Sequence, residues 1–228
     1  KDVLGIAKTG SGKTAAYVLP LLSLLPDMES SKNRHIKILV VVPTRELAVQ
    51  VAEVFMLFGS SMTTKVKSLA VYGGASINTQ MIALQNVDIL VATPGRLLEL
   101  VDSNAVHLSK ISTLVLDEAD KMLNLGFKKE MNRIIGMLPA MRQNLLFSAT
   151  LSEDLSNIQK SLLISPTIIK IDSDQEELDL INQIAYSVSE DRKGPLMRYL
   201  IKSNGWKQVL VFTSSIKRAD NVATKLRA

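Results

Sequence analysis

The chain has 228 residues, 46% apolar and 21% charged, enough for one or two packed domains, which excludes a disordered or fibrous polymer. It has no cysteine and two histidines, His35 and His107, which excludes disulfide scaffolds, thiol catalysis and thiolate- or histidine-rich metal centres; any metal chemistry would be of the oxygen-ligand, magnesium kind. Its 27 basic against 22 acidic residues give +5, which permits a polyanionic partner without requiring one. The longest apolar run, residues 38–43, is far short of the roughly 18 residues of a membrane span, so none is expected. The opening Lys1-Asp2-Val3-Leu4 has neither a methionine nor a secretory signal, which suggests residues before it.

Along the chain, short β-branched runs alternate with helical patterns. The first run, residues 3–6, leads into Ala7-Lys8-Thr9-Gly10-Ser11-Gly12-Lys13-Thr14 at the mouth of a helix. Gly10 and Gly12 would let the backbone turn its N–H groups around phosphate oxygens. The helix N-terminus adds partial positive charge, Lys13 reaches the outer phosphates, and the Thr14 hydroxyl can bind magnesium. A phosphate loop usually opens on glycine, and Ala7 stands there instead. The bland alternative, a glycine-rich turn that merely ends a strand, fits the Gly-Lys-Thr spacing and strand–loop–helix context poorly.

The second run, residues 36–42, is followed by Pro43-Thr44-Arg45-Glu46-Leu47-Ala48, a capping-type threonine before an amphipathic helix reaching about residue 58. The runs at 66–72 and 88–92 lead to Gly73-Gly74 and Thr93-Pro94-Gly95-Arg96. The run at 113–117 ends on Asp117-Glu118-Ala119-Asp120. Asp117, at the end of a buried strand, can hold magnesium through its waters, and Glu118 can orient and deprotonate an attacking water. Acids at strand ends often just cap the next helix; the pair gains meaning from sharing a chain with Lys13 and Thr14. Residues 144–147 precede Ser148-Ala149-Thr150, whose hydroxyls could cap the helix opened by Ser152-Glu153-Asp154, and 167–171 end the series.

These runs are near-continuous rather than alternating, as in strands buried on both faces. The expected fold is therefore α/β, a mostly parallel central sheet flanked by helices, over residues 1–171. Residues 172–182 are polar and acidic and read as a linker. Strands at 184–188 and 208–213 and helices at 191–202 and 215–227 then begin a second, partial α/β domain over 183–228. A subdomain packed on the first sheet is the alternative.

Together these segments resemble the DEAD-box RNA helicases. Asp117-Glu118-Ala119-Asp120 spells the acidic box of that family, and the other segments come in its order, ending with Val211-Phe212-Thr213. Its phosphate loop also begins on alanine. The resemblance implies a RecA-like domain using ATP and Mg2+, with Ala7 through Thr14 on the nucleotide, Lys13, Asp117 and Glu118 catalytic, and Thr14 and Asp117 holding the ion. It implies RNA-backbone contacts from Pro43, Thr44, Arg45, Gly73, Gly74, Thr93, Pro94, Gly95, Arg96 and Thr213. It further implies that Ser148, Ala149 and Thr150, with Asp120, couple nucleotide state to domain closure.

Aromatic residues are 4% of the chain, so backbone rather than base recognition is expected, with little sequence preference. For Arg45 and Arg96 taken alone, a surface ion pair is the alternative. His35 reads as loop and His107 as surface. The resemblance also places an adenine-reading glutamine segment before Lys1 and the arginine fingers beyond Ala228, so these residues alone are expected to be a poor hydrolase. The reading as a whole is a monomeric, cytoplasmic or nuclear ATP-dependent RNA motor that separates short duplexes locally. An RNA clamp or remodelling platform without strand separation shares every motif; a small-molecule kinase shares only the phosphate loop and the acidic strand end.

Overall fold

The computed structural model describes residues 1–25, 35–63, 65–150, 153–171 and 182–227, which fall into two compact units, Lys1–Asp174 and Gln175–Ala228. The first contains seven strands: β1 (Val3–Ile6), β2 (Ile38–Val41), β3 (Ser68–Val71), β4 (Ile89–Ala92), β5 (Thr113–Leu116), β6 (Gln143–Ser148) and β7 (Thr167–Lys170). Between them run α1 (Lys13–Leu24), α2 (Arg45–Gly59), α3 (Ile77–Ala83), α4 (Pro94–Asp102), α5 (Ala119–Asn124), α6 (Lys128–Met137) and α7 (Glu153–Leu162). All pairings are parallel, in the order β3-β4-β2-β5-β6-β1-β7.

The continuous apolar runs follow from burial on both faces. Successive strand side chains point to opposite sides. Ile38 and Val40 pack with Tyr17, Val18, Val51 and Phe55 of α1 and α2. Leu39 and Val41 pack on the other side with Leu97 of α4, Met122 of α5, Ile134 of α6 and Ile158 of α7. Helices therefore cover both faces, and among the described residues the exposed strand is the edge strand β7.

Strand ends differ from the sequence expectation by a residue or two. Within the run at 36–42 the strand spans Ile38–Val41, with Lys37 and Val42 still bonded to Asp88 O and Ala92 O, whereas β6 extends through Ser148, which sits opposite Ile6 and whose carbonyl accepts from Ala7 N at 3.0 Å. Ser148 is thus the last residue of a strand rather than part of the loop after it.

In the second unit, α8 (Lys193–Ser203) follows a 3-10 turn at Glu190–Arg192, and α9 is Ile216–Arg227. The expected strands at 184–188 and 208–213 do not form. A strand exists only by pairing, and two short parallel segments with no further neighbours are marginal by themselves. Tyr186, Val188, Leu196, Leu200, Trp206 and Val209 line a shallow apolar groove instead. Nearly all of the expected linker, 172–181, and the helix-opening Leu151 and Ser152 lie outside the described residues. Among the described residues no helix is long and apolar enough to cross a membrane.

Gly5 in β1 has a packing role. A Cβ there would lie 2.5 Å from Phe147 Cδ1, and the Phe147 ring packs tilted against that of Tyr17, centroids 5.1 Å apart. Gly5→Ala should therefore displace Phe147 and cost about 1–3 kcal/mol. The check is the urea midpoint at constant m-value, with part of the loss recovered by adding Phe147→Leu.

Candidate active site

Parallel strands deliver their following loops to one edge of the sheet, and every motif singled out in the first unit lies there. The strand order sorts them. β5, β6 and β1 carry Asp117-Glu118, Ser148-Ala149-Thr150 and the phosphate-type loop; β3, β4 and β2 carry Gly73-Gly74, Thr93-Pro94-Gly95-Arg96 and Pro43-Thr44-Arg45. Only Thr213 lies in the other unit, where its hydroxyl donates to Ser215 O at 3.0 Å.

Residues Lys8 through Gly12 are exposed. Gly10 and Gly12 have φ of 86° and 85° with nothing within 4 Å of a would-be Cβ, so glycine is needed there for backbone conformation rather than for space. Ala7 has no such φ and is buried, which explains why alanine serves at the first position. Gly12 offers α1 no side-chain cap and the first turn holds no acid, so the leading N–H groups remain available to an anion. Lys13 Nζ donates to the Ala7 carbonyl, closing the loop on itself.

Asp117 is 2% exposed. Its Oδ2 accepts from Tyr17 Oη at 3.0 Å and its Oδ1 from Glu118 N at 2.9 Å. Burial pushes its carboxyl above the ordinary range, against the Tyr17 hydrogen bond and the Lys13 charge. Burial and the Asp117 charge push the Tyr17 phenol far up, so it stays a protonated donor. The Thr14 side chain works the other way, lowering the phenol.

Tyr17 thus ties the helix that follows the phosphate-type loop to the carboxylate at the end of β5. Among the described residues no three acidic, histidine or cysteine side chains cluster as metal ligands. Glu118 has the left-handed φ of 52°, unusual for a residue with a Cβ. Its Oε1 accepts from Lys121 Nζ at 2.9 Å and faces Thr9 Oγ1 at 3.5 Å.

Asp120 Oδ2 accepts from both Thr150 N at 3.1 Å and Thr150 Oγ1 at 2.9 Å, and its Oδ1 from Lys121 N at 3.0 Å. Ser148 Oγ donates to Thr150 O at 2.8 Å. Burial alone would raise the Asp120 carboxyl; the Thr150 and Ser148 side chains and the two backbone donors outweigh it and hold it below the ordinary range. The acidic box and the Ser-Ala-Thr segment are therefore joined directly.

On the other half of the edge, Thr44 caps α2, accepting from Leu47 N at 3.3 Å. Arg45 is exposed, and its guanidinium lies 4.9 Å from the centre of the Tyr72 ring rather than in an ion pair. Gly74 has φ of 80° in an exposed turn. Thr93 and Pro94 are buried, and α4 starts without a side-chain cap.

Arg96 faces inward, in contrast to the surface role the sequence suggests. It is 7% exposed, with Nε to Glu99 Oε2 at 2.7 Å, Nη2 to Ala75 O at 3.0 Å and Nη1 buried without a partner. His35 and His107 are exposed, as expected.

Two residues escaped the sequence reading. Gln80 clamps Tyr72, accepting from its N–H and donating to its C=O, both at 3.1 Å. Tyr17 carries the hydroxyl on Asp117. A polar residue on the buried face of a short helix was the only signal for Gln80. Tyr17 lies one turn after Thr14, at a position that reads as core.

The family profile of DEAD/DEAH box helicases matches residues 1–158. The chain is 41% identical over 228 residues to a Streptococcus pneumoniae serotype 4 protein named DEAD-box ATP-dependent RNA helicase CshA, covering all of this chain and 42% of that protein. It is 36% identical over 236 residues to the ATP-dependent RNA helicase RhlB of Pseudomonas putida, covering 99% of this chain and 58% of that one. The chain thus spans about half the length of these relatives. Among solved structures, a DEAD box protein from Methanococcus jannaschii matches with TM-score 0.70 and 32% identity over 99% of this chain and 59% of that one. A hypothetical ATP-dependent RNA helicase from Sulfolobus tokodaii matches with TM-score 0.66 and 40% identity over 75% of this chain and 48% of that one.

Asp120→Asn tests the link to Thr150. An amide nitrogen at the Oδ2 position would face two donors, at a cost of about 1–3 kcal/mol in chemical unfolding near pH 7. Because the folded-state pKa is depressed, that contribution is present above the unfolded value of about 4 and lost as pH falls through the folded one. The stability gap between the parent and the variant should therefore narrow in acid.

Proposed function

The chain belongs to the DEAD/DEAH box helicase family, and from that premise we propose that it forms the ATP-binding part, and the start of a second RecA-like domain, of an ATP-dependent RNA-remodelling motor. The observation that carries this reading is the sorting of motifs along one sheet edge, with phosphate-binding groups on β5-β6-β1 beside a separate, glycine- and arginine-bearing set on β3-β4-β2. A small-molecule kinase would need no second set.

In this reading the uncapped N–H groups of α1 and Lys13 hold the phosphates of ATP. Lys13 exchanges the neutral Ala7 carbonyl for a charged oxygen, a stronger acceptor. Thr14 and Asp117 hold magnesium, which when bound offsets phosphate charge and favours attack by water. Glu118 accepts the proton of that water after giving up Lys121, whose Nζ end is half exposed and whose ion pair is therefore weak. The Asp120–Thr150 bonds carry the state of the acidic box to β6 and the segment after it.

RNA lies across the other loops through its backbone. Arg45, steadied on Tyr72, supplies charge; Gly95 at the uncapped start of α4 and the Gly73-Gly74 turn supply N–H groups; Thr93, whose own N–H is held by Val71 O, and Pro94 set the start of α4, as Pro43 and Thr44 shape the entry to α2. Arg96 serves from inside, holding the turn through the Ala75 carbonyl. Thr213 is assigned to the same RNA path from the second unit, on family resemblance. Local separation of short duplexes is the finer proposal for the whole protein, tested by a duplex-release assay; RNA-stimulated ATP turnover without release would favour a clamp.

Lys13→Ala should abolish ATP–magnesium binding by calorimetry while leaving the thermal midpoint in place, since Lys13 lies outside the core. Glu118→Gln should keep binding yet lower turnover of the whole protein by about 10² or more. Equal loss of binding in both would show that the two motifs have no separate roles.

Arg45→Ala should weaken binding about equally across unrelated single strands and reduce the salt slope by about 0.7, one phosphate contact. Arg96→Ala should lower stability as well, through the lost Glu99 and Ala75 contacts. A loss confined to one RNA sequence would show base reading instead.

A further inference from the structure

Tyr17 sits on the buried face of α1 among Val18, Leu21, Phe55 and Phe147, where phenylalanine would satisfy the packing. It is 1% exposed, and a hydroxyl that deep is costly unless paired. It pairs across motifs: from the phosphate-loop helix it donates to Asp117 at the end of β5, 100 residues away in sequence. With Glu118 N on the other carboxylate oxygen, both oxygens of Asp117 are held, each with lone-pair capacity to spare.

We propose that Tyr17 is a positioning residue for the magnesium-holding carboxylate, fixing the orientation of Asp117 before any nucleotide arrives. The proposal rests on the assignment of Thr14 and Asp117 to the ion. A phenol suits the task better than the alternatives. A lysine or arginine at this place would neutralise Asp117 and repel a cation, whereas a phenylalanine would leave Oδ2 in a buried site without its donor. The neutral hydroxyl orients the carboxylate and keeps its charge for the metal. The ring has little freedom to move, with Phe147 at 5.1 Å and Phe55 at 6.4 Å, and Gly5 leaves the room that Phe147 fills. Orientation of Asp117 is thus continuous with the packing of β1 and β6.

The test is the factor by which Mg2+ strengthens ATP binding, measured by calorimetry in excess Mg2+ and again in EDTA, on the full 228-residue chain. Tyr17→Phe should leave affinity in EDTA unchanged and cut the magnesium factor by about tenfold, the scale on which partners of a metal-holding group act. In an Asp117→Asn background, Tyr17→Phe should change nothing further. A magnesium factor unchanged in Tyr17→Phe, or an equal loss with and without Mg2+, would overturn the proposal and leave Tyr17 a core residue.

A second measurement needs no variant to bind nucleotide. The chain has four tyrosines, and with 13C-labelled rings the Tyr17 signal of the parent protein should move on adding Mg2+ to the ATP complex. A stationary signal would overturn the proposal as well. If Asp117→Asn itself leaves the magnesium factor intact, the assignment of the ion to Asp117 fails; if Asp117→Asn abolishes the factor and Tyr17→Phe does not, only the role of Tyr17 fails.

Discussion

Parallel strands cannot be joined by tight hairpins, because each must be followed by a crossover that brings the chain back to the starting edge. In this protein that constraint acts on seven strands at once. From β1 to β6, each loop after a strand is also a loop before a helix, so the carboxyl edge collects strand-end carbonyls, helix-start N–H groups and the side chains between them. The phosphate-type loop, the acidic box and the arginine-bearing turns share this edge because of topology, with no need for a separate pocket.

The two ends of the sheet treat buried polar groups differently. At the amino edge Asp2 accepts from Asn144 N, Asn144 Nδ2 and Ile164 N, and Asp88 accepts from Lys67 N, so these carboxylates staple neighbouring segments together. At the carboxyl edge Asp117 has one neutral phenol and one backbone N–H, and burial works against its charge. A carboxylate kept this dry, with acceptor capacity to spare, is suited to a cation. Asp120, one turn along, has three donors and ties β6 to the acidic box.

The charged groups of the edge also rest on internal partners of different strength. Lys13 holds a carbonyl and Glu118 holds a half-exposed lysine, both contacts that a phosphate or a water can replace at small cost. Arg96 is buried with its Nε on Glu99 and its Nη2 on Ala75 O, and removing it would leave the part-buried Ala75 carbonyl without its donor and a space where the side chain lay. The first two are groups that can switch partners, and the third is a brace.

Much of this was legible in the amino-acid order. Strands buried on both faces require unbroken apolar runs, and these, with the β-branched run of the exposed edge strand β7, placed all seven to within a residue or two. Loops that wrap phosphate require glycine where φ is positive, and Gly10, Gly12 and Gly74 stand where the backbone takes that form. The expected strands at 184–188 and 208–213 failed for a related reason: a run of apolar residues states a preference, but pairing depends on neighbours. The order β3-β4-β2-β5-β6-β1-β7, which divides the motifs into two sets, has no trace in the chain order. Nor does the inward turn of Arg96, the clamp of Gln80 on Tyr72, or the reach of Tyr17 to Asp117. The sequence by itself determined which residues must be apolar, which must be glycine and which carry charge, because those are demands on single positions. Tertiary structure alone decided which of them meet, because a hydrogen bond between residues 17 and 117 exists only once β1, β6 and β5 lie side by side.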